Sequence, residues 1–253
     1  MSRWFPDRLR ALLPTGRRSA VELRLPDPRP EGIEQQLDVL ALPVGTRLTC
    51  IVAGEGVRYR IVPWRDELSR PAQRQLLAEQ CFHEAYGDVA RGWTVRQHAT
   101  RYGAATLACA IDTAVLDQLT AQSRARRLTL ASVQPALMHS YNLTRHTMSA
   151  GLHWFVSIDA VSTTLLLQSP TEPLLVKRVP ASALDLADTL DREWFALGME
   201  APPCAVYVVR LDAMPLPSHQ GKATSWSFID LTPSGSASTS APLPTAPPKV
   251  VTA

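Results

Sequence analysis

The segment from Trp154 to Val179 carries the residues whose types and spacing come nearest to phosphate chemistry. It is laid out like a phosphate-binding β-hairpin of an α/β domain, in which Asp159 and Thr164 could together hold a metal-bound water. The position between them that would have to be glycine is Val161. A β-branched side chain disfavours positive φ and blocks close approach of the backbone to a phosphate. The pattern therefore predicts a degenerate phosphate loop, in which Asp159 caps a turn or pairs with a neighbour.

The first half of the chain offers no better phosphate site. Its corresponding turn is Gly54-Glu55-Gly56, with no aspartate before it and no serine or threonine after it. No complete Walker-type or dinucleotide-binding glycine motif occurs anywhere in the chain. We therefore expect no nucleotide and no other cofactor.

Other catalytic chemistry has weaker support. A nuclease would need several acids around two metal ions, and Asp159 with Asp112, Asp185 and Asp188 are the candidates. However, Asp185 and Asp188 fall in the first turns of a predicted helix, where acids are expected for the helix dipole alone. No G-x-S-x-G motif is present, and the six histidines never form HxH or HExxH. The sequence thus predicts neither a metal site nor an enzyme.

Arg58, Arg60 and Trp64 are the candidates for binding a protein partner. They alternate along a predicted strand, so Arg58 and Arg60 share one face. With Tyr59 they could form a base-stacking surface, but a solvated strand face with Trp64 in the core is the favoured interpretation. An open edge of this strand could accept a partner strand by β-addition, and the cleft between the two halves is an equally good site.

Composition limits the classes of protein that fit. With 253 residues and 45% apolar content, the chain can bury a sizeable core. A net charge of +3 is too balanced to indicate a nucleic-acid binder. The four cysteines stand singly in apolar runs, which favours buried free thiols in a reducing compartment. No apolar stretch approaches the ~20 residues needed to cross a bilayer.

The predicted elements form a hairpin, helix and strand module twice, at about residues 45–110 and 152–211. In chain order, the predictions are a strand at 21–25, a loop at 26–32, a hairpin of strands at 45–54 and 56–64, a helix at 68–86, strands at 92–99 and 104–111, a helix from Asp112 to Arg127, a strand at 128–135, a helix at 136–143, a strand region at 153–167, a turn at 170–173, a strand at 174–179, a helix at 182–197 with Ser182 as its N-cap, and strands at 205–211 and 226–231.

The two ends of the chain have different characters. Residues 1–18 carry five arginines against one acid, with apolar residues at roughly helical spacing. Such a basic amphipathic leader can lie on an anionic membrane or in a partner's groove, although packing on its own domain or fraying is the favoured interpretation. It also resembles an organelle transit peptide, which nothing else in the sequence supports. The tail from residue 233, rich in Ser, Thr, Ala and Pro, is predicted to be disordered.

Beyond these local patterns, the chain resembles the PilM-type proteins of type IV pili and the cytoplasmic domain of the type II secretion L component. The resemblance covers roughly residues 20–231 and is carried by RLTCIVAGEGVRYRIVPWRDEL, FHEAYG, GWTVR, RYGAATLACAID, VLDQL, LTLASVQPALMHSYN and HWFVSIDA. It implies an α/β, actin-like fold of two ribonuclease H-like lobes with mixed β-sheets and flanking helices. The implied organisation is a leader at 1–19, a first lobe at 20–147, an abbreviated second lobe at 148–232 and a tail at 233–253.

This resemblance also implies a function. Members of the family that bind ATP use glycine-containing loops between the first two strands of each lobe, which this chain lacks. The expectation is a non-catalytic cytoplasmic scaffold that binds a short cytoplasmic segment of an inner-membrane pilus or secretion protein. A homodimer and peripheral membrane contact through residues 1–18 stay open, and no nucleic-acid partner is expected. The alternatives are an ATP-binding actin-like protein and a metal-dependent nuclease of ribonuclease H-like fold.

Overall fold

The structure is a computed structural model that describes residues 20–26, 28–98, 101–180, 186–199, 204–211 and 226–232. Its strands are β1 (Ala20–Leu25), β2 (Arg47–Val52), β3 (Arg58–Val62), β4 (Trp93–Gln97), β5 (Thr106–Asp112), β6 (Thr129–Pro135), β7 (His153–Ile158), β8 (Ser162–Gln168), β9 (Pro173–Pro180), β10 (Ala205–Arg210) and β11 (Ser227–Asp230). Its helices are α1 (Pro30–Leu40), α2 (Pro71–Tyr86), α3 (Thr113–Ala125), α4 (Ala136–Thr144) and α5 (Leu186–Ala196). The predicted leader, the predicted tail and Ser182 lie outside the described residues.

The described strands form three sheets. A small parallel sheet has the order β1-β2-β6, and a small antiparallel sheet has the order β3-β5-β4. The large sheet has the order β11-β10-β7-β8-β9, with β8 antiparallel to both β7 and β9, and with β10 and β11 parallel to β7. This order, two hairpins followed by two parallel strands, is the ribonuclease H-like arrangement.

The central strands of the large sheet, β7, β8 and β10, are buried on both faces. Trp154 and Leu165 point to the side that α5 covers, where they pack with Leu190 and Trp194. On the opposite face, residues of β7 and β8 pack against the start of α4, the helix that precedes β7 in the chain. Because both faces are covered, β7 and β8 are nearly continuous apolar runs rather than strict alternations.

Most of the predicted elements are confirmed. Helix α2 has Pro71 in its first turn and ends at Gly87, whose φ of +70° suits glycine. The Asp112 carboxylate caps α3, accepting a hydrogen bond from the Ala114 amide at 2.9 Å. Arg124 lies in the last turn of α3, where a cation is favoured.

The predicted hairpin of β2 and β3 is wrong. Strand β2 pairs in parallel with β1 and β6, whereas β3 pairs antiparallel with β5 in a different sheet. Residues Gly54–Gly56 form a short 3₁₀ turn that carries the chain from one sheet to the next. Alternation identified both strands correctly, but it does not say which strands pair.

The loop predicted at residues 26–32 is also wrong at its C-terminal end. Pro30 begins α1, which buries Ile33 and Leu37 against the parallel sheet. Proline is favoured in the first turn of a helix because the amide it lacks would have no partner there. The C-terminal end of the proline-rich segment therefore begins a helix and is not part of a loop.

The four cysteines are free, as predicted, but only two of them are buried. Burial raises the pKa of Cys50 and of Cys109 to about 12, so both thiols stay protonated at neutral pH. Cys81 and Cys204 are half-buried.

Candidate functional site

Asp159 lies in the turn between β7 and β8 and caps that turn from within. Its Oδ1 accepts hydrogen bonds from the Val161 amide at 2.9 Å and from the Ser162 amide at 2.7 Å. The Ser162 hydroxyl donates to Oδ2 at 3.1 Å. Asp159 is 8% exposed, so these bonds form away from bulk water. The carboxylate is thus already engaged by its own turn, as the turn-capping interpretation predicts.

Thr164 and Val161 do not complete a phosphate site around Asp159. Thr164 is buried within β8, opposite Ser157 of β7. Among the described residues, no hydrogen bond joins Thr164 to Asp159. Val161 is 58% exposed.

The turn at Gly54 lies directly against the Val161 turn. A Cβ atom built on Gly54 would be 3.3 Å from Val161 Cγ2, 3.4 Å from the Pro26 carbonyl oxygen and 3.9 Å from Asp159 Oδ2. Gly54 has a φ of +54°. Its carbonyl accepts a hydrogen bond of 2.7 Å from Arg178 Nη1, so an arginine of β9 ties the first turn to the second lobe. The two turns that would face a nucleotide therefore lie so close together that a side chain at position 54 would crowd Val161.

Further hydrogen bonds hold the two halves together around this contact. Arg24 Nη1 donates to the Leu211 carbonyl at 2.7 Å. Glu172 Oε2 accepts from the Ala105 amide at 2.6 Å. The first bond joins β1 to the residue after β10, and the second joins the residue before β5 to the turn between β8 and β9. The two facing turns are therefore part of a wider interface.

The acids considered for a nuclease do not assemble. Asp112 caps α3, and Asp188 lies in the first turn of α5. Within the described part of the chain, no three His, Cys, Asp or Glu side chains lie close enough to hold a metal ion. Asp185 lies outside the described residues.

Arg58 and Arg60 line a groove of about 510 Å³ where β3 meets β9. Lys177 and Arg178 of β9 form its other cationic wall. We call it the basic groove. In this groove, sequence candidates from the first half of the chain meet cations from the second half.

Apolar and aromatic side chains complete the basic groove. They are Tyr86, Val89, Trp93 and Val176. Val89 is 61% exposed and Tyr86 is 40% exposed, so apolar surface stands next to the cations. No acidic residue lines the groove within the described chain.

Tyr59, between the two arginines, borders the groove but also packs into the core. It packs in the core between the lobes, and burial raises the pKa of its phenol well above the ordinary value. Arg58 and Arg60 therefore face the groove while Tyr59 anchors the strand.

Trp64 takes no part in the basic groove, and the prediction that it lies in the core is wrong. It is half-buried in a surface cluster, with its Nε1 donating to Asp66 Oδ1 at 2.8 Å. Arg74 stands 4.5 Å above its ring, and Tyr102 packs against it edge-on at 4.6 Å. Sequence reasoning missed Trp93, Lys177 and Arg178, which reach the groove from distant strands without a local motif.

The three sheets, their order and the two facing turns define the class. The chain has an α/β, actin-like fold, with ribonuclease H-like strand order in its large sheet. Two solved structures share this fold at low sequence identity. The cytoplasmic domain of EpsL, an inner-membrane component of the type II secretion system of Vibrio cholerae, matches with a TM-score of 0.53 and 11% identity, over 79% of this chain and 74% of that chain.

The second similar structure is a chain of the PilM-PilN type IV pilus biogenesis complex. It matches with a TM-score of 0.51 and 14% identity, over 72% of this chain and 67% of that chain. No protein-family model and no curated protein matches the sequence. Among the described helices, none has the length and apolar character needed to cross a membrane.

Proposed function

We propose that the protein is a non-catalytic cytoplasmic scaffold in the assembly platform of a type IV pilus or type II secretion-like machine. In this role it binds an inner-membrane protein through a short cytoplasmic segment of that partner. The proposed lobes span residues 20–147 and 148–232, and residues 1–18 would lie near the membrane.

The observation that carries the proposal is the contact between the Gly54 turn and the Val161 turn. A nucleotide in this fold needs its phosphates between the two turns, where backbone amides can reach them. Here the Val161 side chain lies beside Gly54, and both oxygens of Asp159 accept hydrogen bonds from within their own turn. This geometry favours a binding role over ATP hydrolysis.

The kind of partner is inferred from the similar structures. EpsL is described as an inner-membrane component of a secretion system, and PilM is found in a complex with PilN that serves pilus biogenesis. By those descriptions, one belongs to a secretion system and the other to a pilus biogenesis complex. A platform role for this chain is consistent with a fold that retains two lobes while its nucleotide cleft is closed.

We expect the full chain to bind Mg-ATP more weakly than about 100 μM, which corresponds to roughly 5 kcal/mol of binding free energy. Isothermal titration calorimetry measures this directly. The variant Val161→Gly is expected to bind Mg-ATP as weakly as the native chain. The reason is that Arg178 still donates to the Gly54 carbonyl and the first turn still lacks an acid. If the native chain bound Mg-ATP more tightly than this limit, the proposal of a closed cleft would be wrong. If only Val161→Gly bound Mg-ATP, the Val161 side chain alone would be what closes the cleft.

We expect the full chain to form a complex with a single-span inner-membrane protein encoded next to its gene. Co-expression with that protein, detergent extraction and affinity purification measure the complex. The matched control is the same membrane protein without its short cytoplasmic tail, which should no longer co-purify. Absence of such a neighbour, or equal recovery of the tailless protein, would contradict the platform role.

A further inference from the structure

We propose that the basic groove binds an extended acidic segment of a protein partner. The inference rests on the proposed scaffold function and adds the chemistry of the segment that the scaffold takes. It follows from the charges, the apolar surface and the strand edges that meet where β3 contacts β9.

The charge of the basic groove is largely uncompensated. Lys177 is paired with Glu193 at 2.7 Å. Within the described residues, Arg58, Arg60 and Arg178 form no ion pair. Arg58 Nη1 and Arg178 Nη1 each donate to a backbone carbonyl, of Glu55 and of Gly54 respectively, which fixes the side chains without neutralising them. Three fixed or exposed cations thus face solvent together, and a carboxylate-bearing ligand complements them.

The strand edges favour an extended peptide over a small anion. In the described sheets β3 pairs only with β5, and β9 pairs only with β8. Each strand therefore has one edge without a partner strand, and an extended segment can pair with such an edge by β-addition. Val89, Tyr86 and Val176 offer apolar contacts beside the cations, which a free phosphate would not use.

The aromatic residues of the groove are poorly placed to stack on nucleic-acid bases. The Arg58 guanidinium lies 4.8 Å from the centre of the Trp93 ring. Tyr86 packs edge-on against Trp93 at 5.1 Å and stacks on Phe82 at 6.2 Å. Because these rings are already engaged with each other, the base-stacking platform of a single-strand binder is missing.

A fluorescein-labelled peptide of alternating glutamate and leucine tests the inference by fluorescence anisotropy at low ionic strength. We expect the full native chain to bind it, and to bind the matched peptide of alternating glutamine and leucine more weakly. The variant Arg60→Glu alters an exposed side chain and should fold normally. It is expected to weaken binding of the acidic peptide about tenfold, and Arg58→Glu/Arg60→Glu should weaken it further.

The control variant is Arg47→Glu/Arg192→Glu, which makes the same change in net charge as Arg58→Glu/Arg60→Glu, but at exposed positions outside the groove. It should keep native affinity for the acidic peptide. Equal weakening in this control would overturn the inference in favour of non-specific attraction. No binding by the native chain, or tighter Arg60-dependent binding of a single-stranded oligonucleotide of equal charge, would also overturn it. Failure here with successful co-purification of the membrane protein would leave the scaffold function intact and reject only the acidic segment.

Discussion

Replacing Trp154 with alanine is expected to lower the free energy of unfolding by about 3–5 kcal/mol. The Trp154 side chain is fully buried in β7, between Val206 of β10 and Leu167 of β8. Its removal leaves a large cavity beneath α5, in the centre of the sheet that carries the Asp159 turn. Equilibrium unfolding in urea, followed by far-UV circular dichroism, measures the change.

Two other substitutions make the Trp154 result specific. Trp154→Phe keeps most of the buried volume and removes an indole N–H that has no hydrogen-bond partner in the described structure, so it should be much milder than alanine. Phe195→Ala removes an aromatic ring that is 66% exposed on α5 and should change stability by less than about 0.5 kcal/mol. Equal effects of the three substitutions would contradict this account of the core.

The sequence predicts elements well where the signal is local. Helix α2 has a proline at its start, a glycine after its end and an apolar face in between, and all three signals lie within one continuous segment. The cap at Asp112 and the turn at Asp159 are equally local, since each carboxylate bonds amides two or three residues ahead. Such features can be predicted because the interacting residues lie within a few positions of each other in the sequence.

Pairing between distant strands is where sequence reasoning failed. Strand β2 lies between β1 and β6, and its apolar pattern alone cannot distinguish these partners from β3. The same limit explains the missed half of the basic groove. Arg178 comes more than a hundred residues after Arg58, and only the packing of β9 on β3 brings them to one surface. The candidate residues were visible, but their neighbours depend on topology.

The proposed closure of the nucleotide cleft and the basic groove both depend on one hydrogen bond between the Gly54 turn and β9. Arg178 donates to the Gly54 carbonyl, and this bond both seats the Gly54 turn against Val161 and places an arginine at the groove. We infer that closure of the cleft favours a single continuous binding surface in this chain.

Replacing Asp159 with alanine is expected to lower the free energy of unfolding by about 2–4 kcal/mol. The substitution leaves the Val161 and Ser162 amides and the Ser162 hydroxyl without their acceptor, in a turn that is largely buried. Asp159→Asn keeps one oxygen as an acceptor but loses the charge, so its effect should be intermediate. Urea unfolding of the three proteins side by side measures both changes.

This prediction separates a structural aspartate from a functional one. A carboxylate retained for a metal or a nucleotide is usually poorly satisfied by its own protein, and its removal leaves stability unchanged or raises it. Removing a carboxylate that caps its own turn lowers the free energy of unfolding, because buried hydrogen-bond donors lose their acceptor. If Asp159→Ala proved as stable as the native chain, Asp159 would have to be free for a ligand, and the ATP-binding alternative would regain its strongest residue.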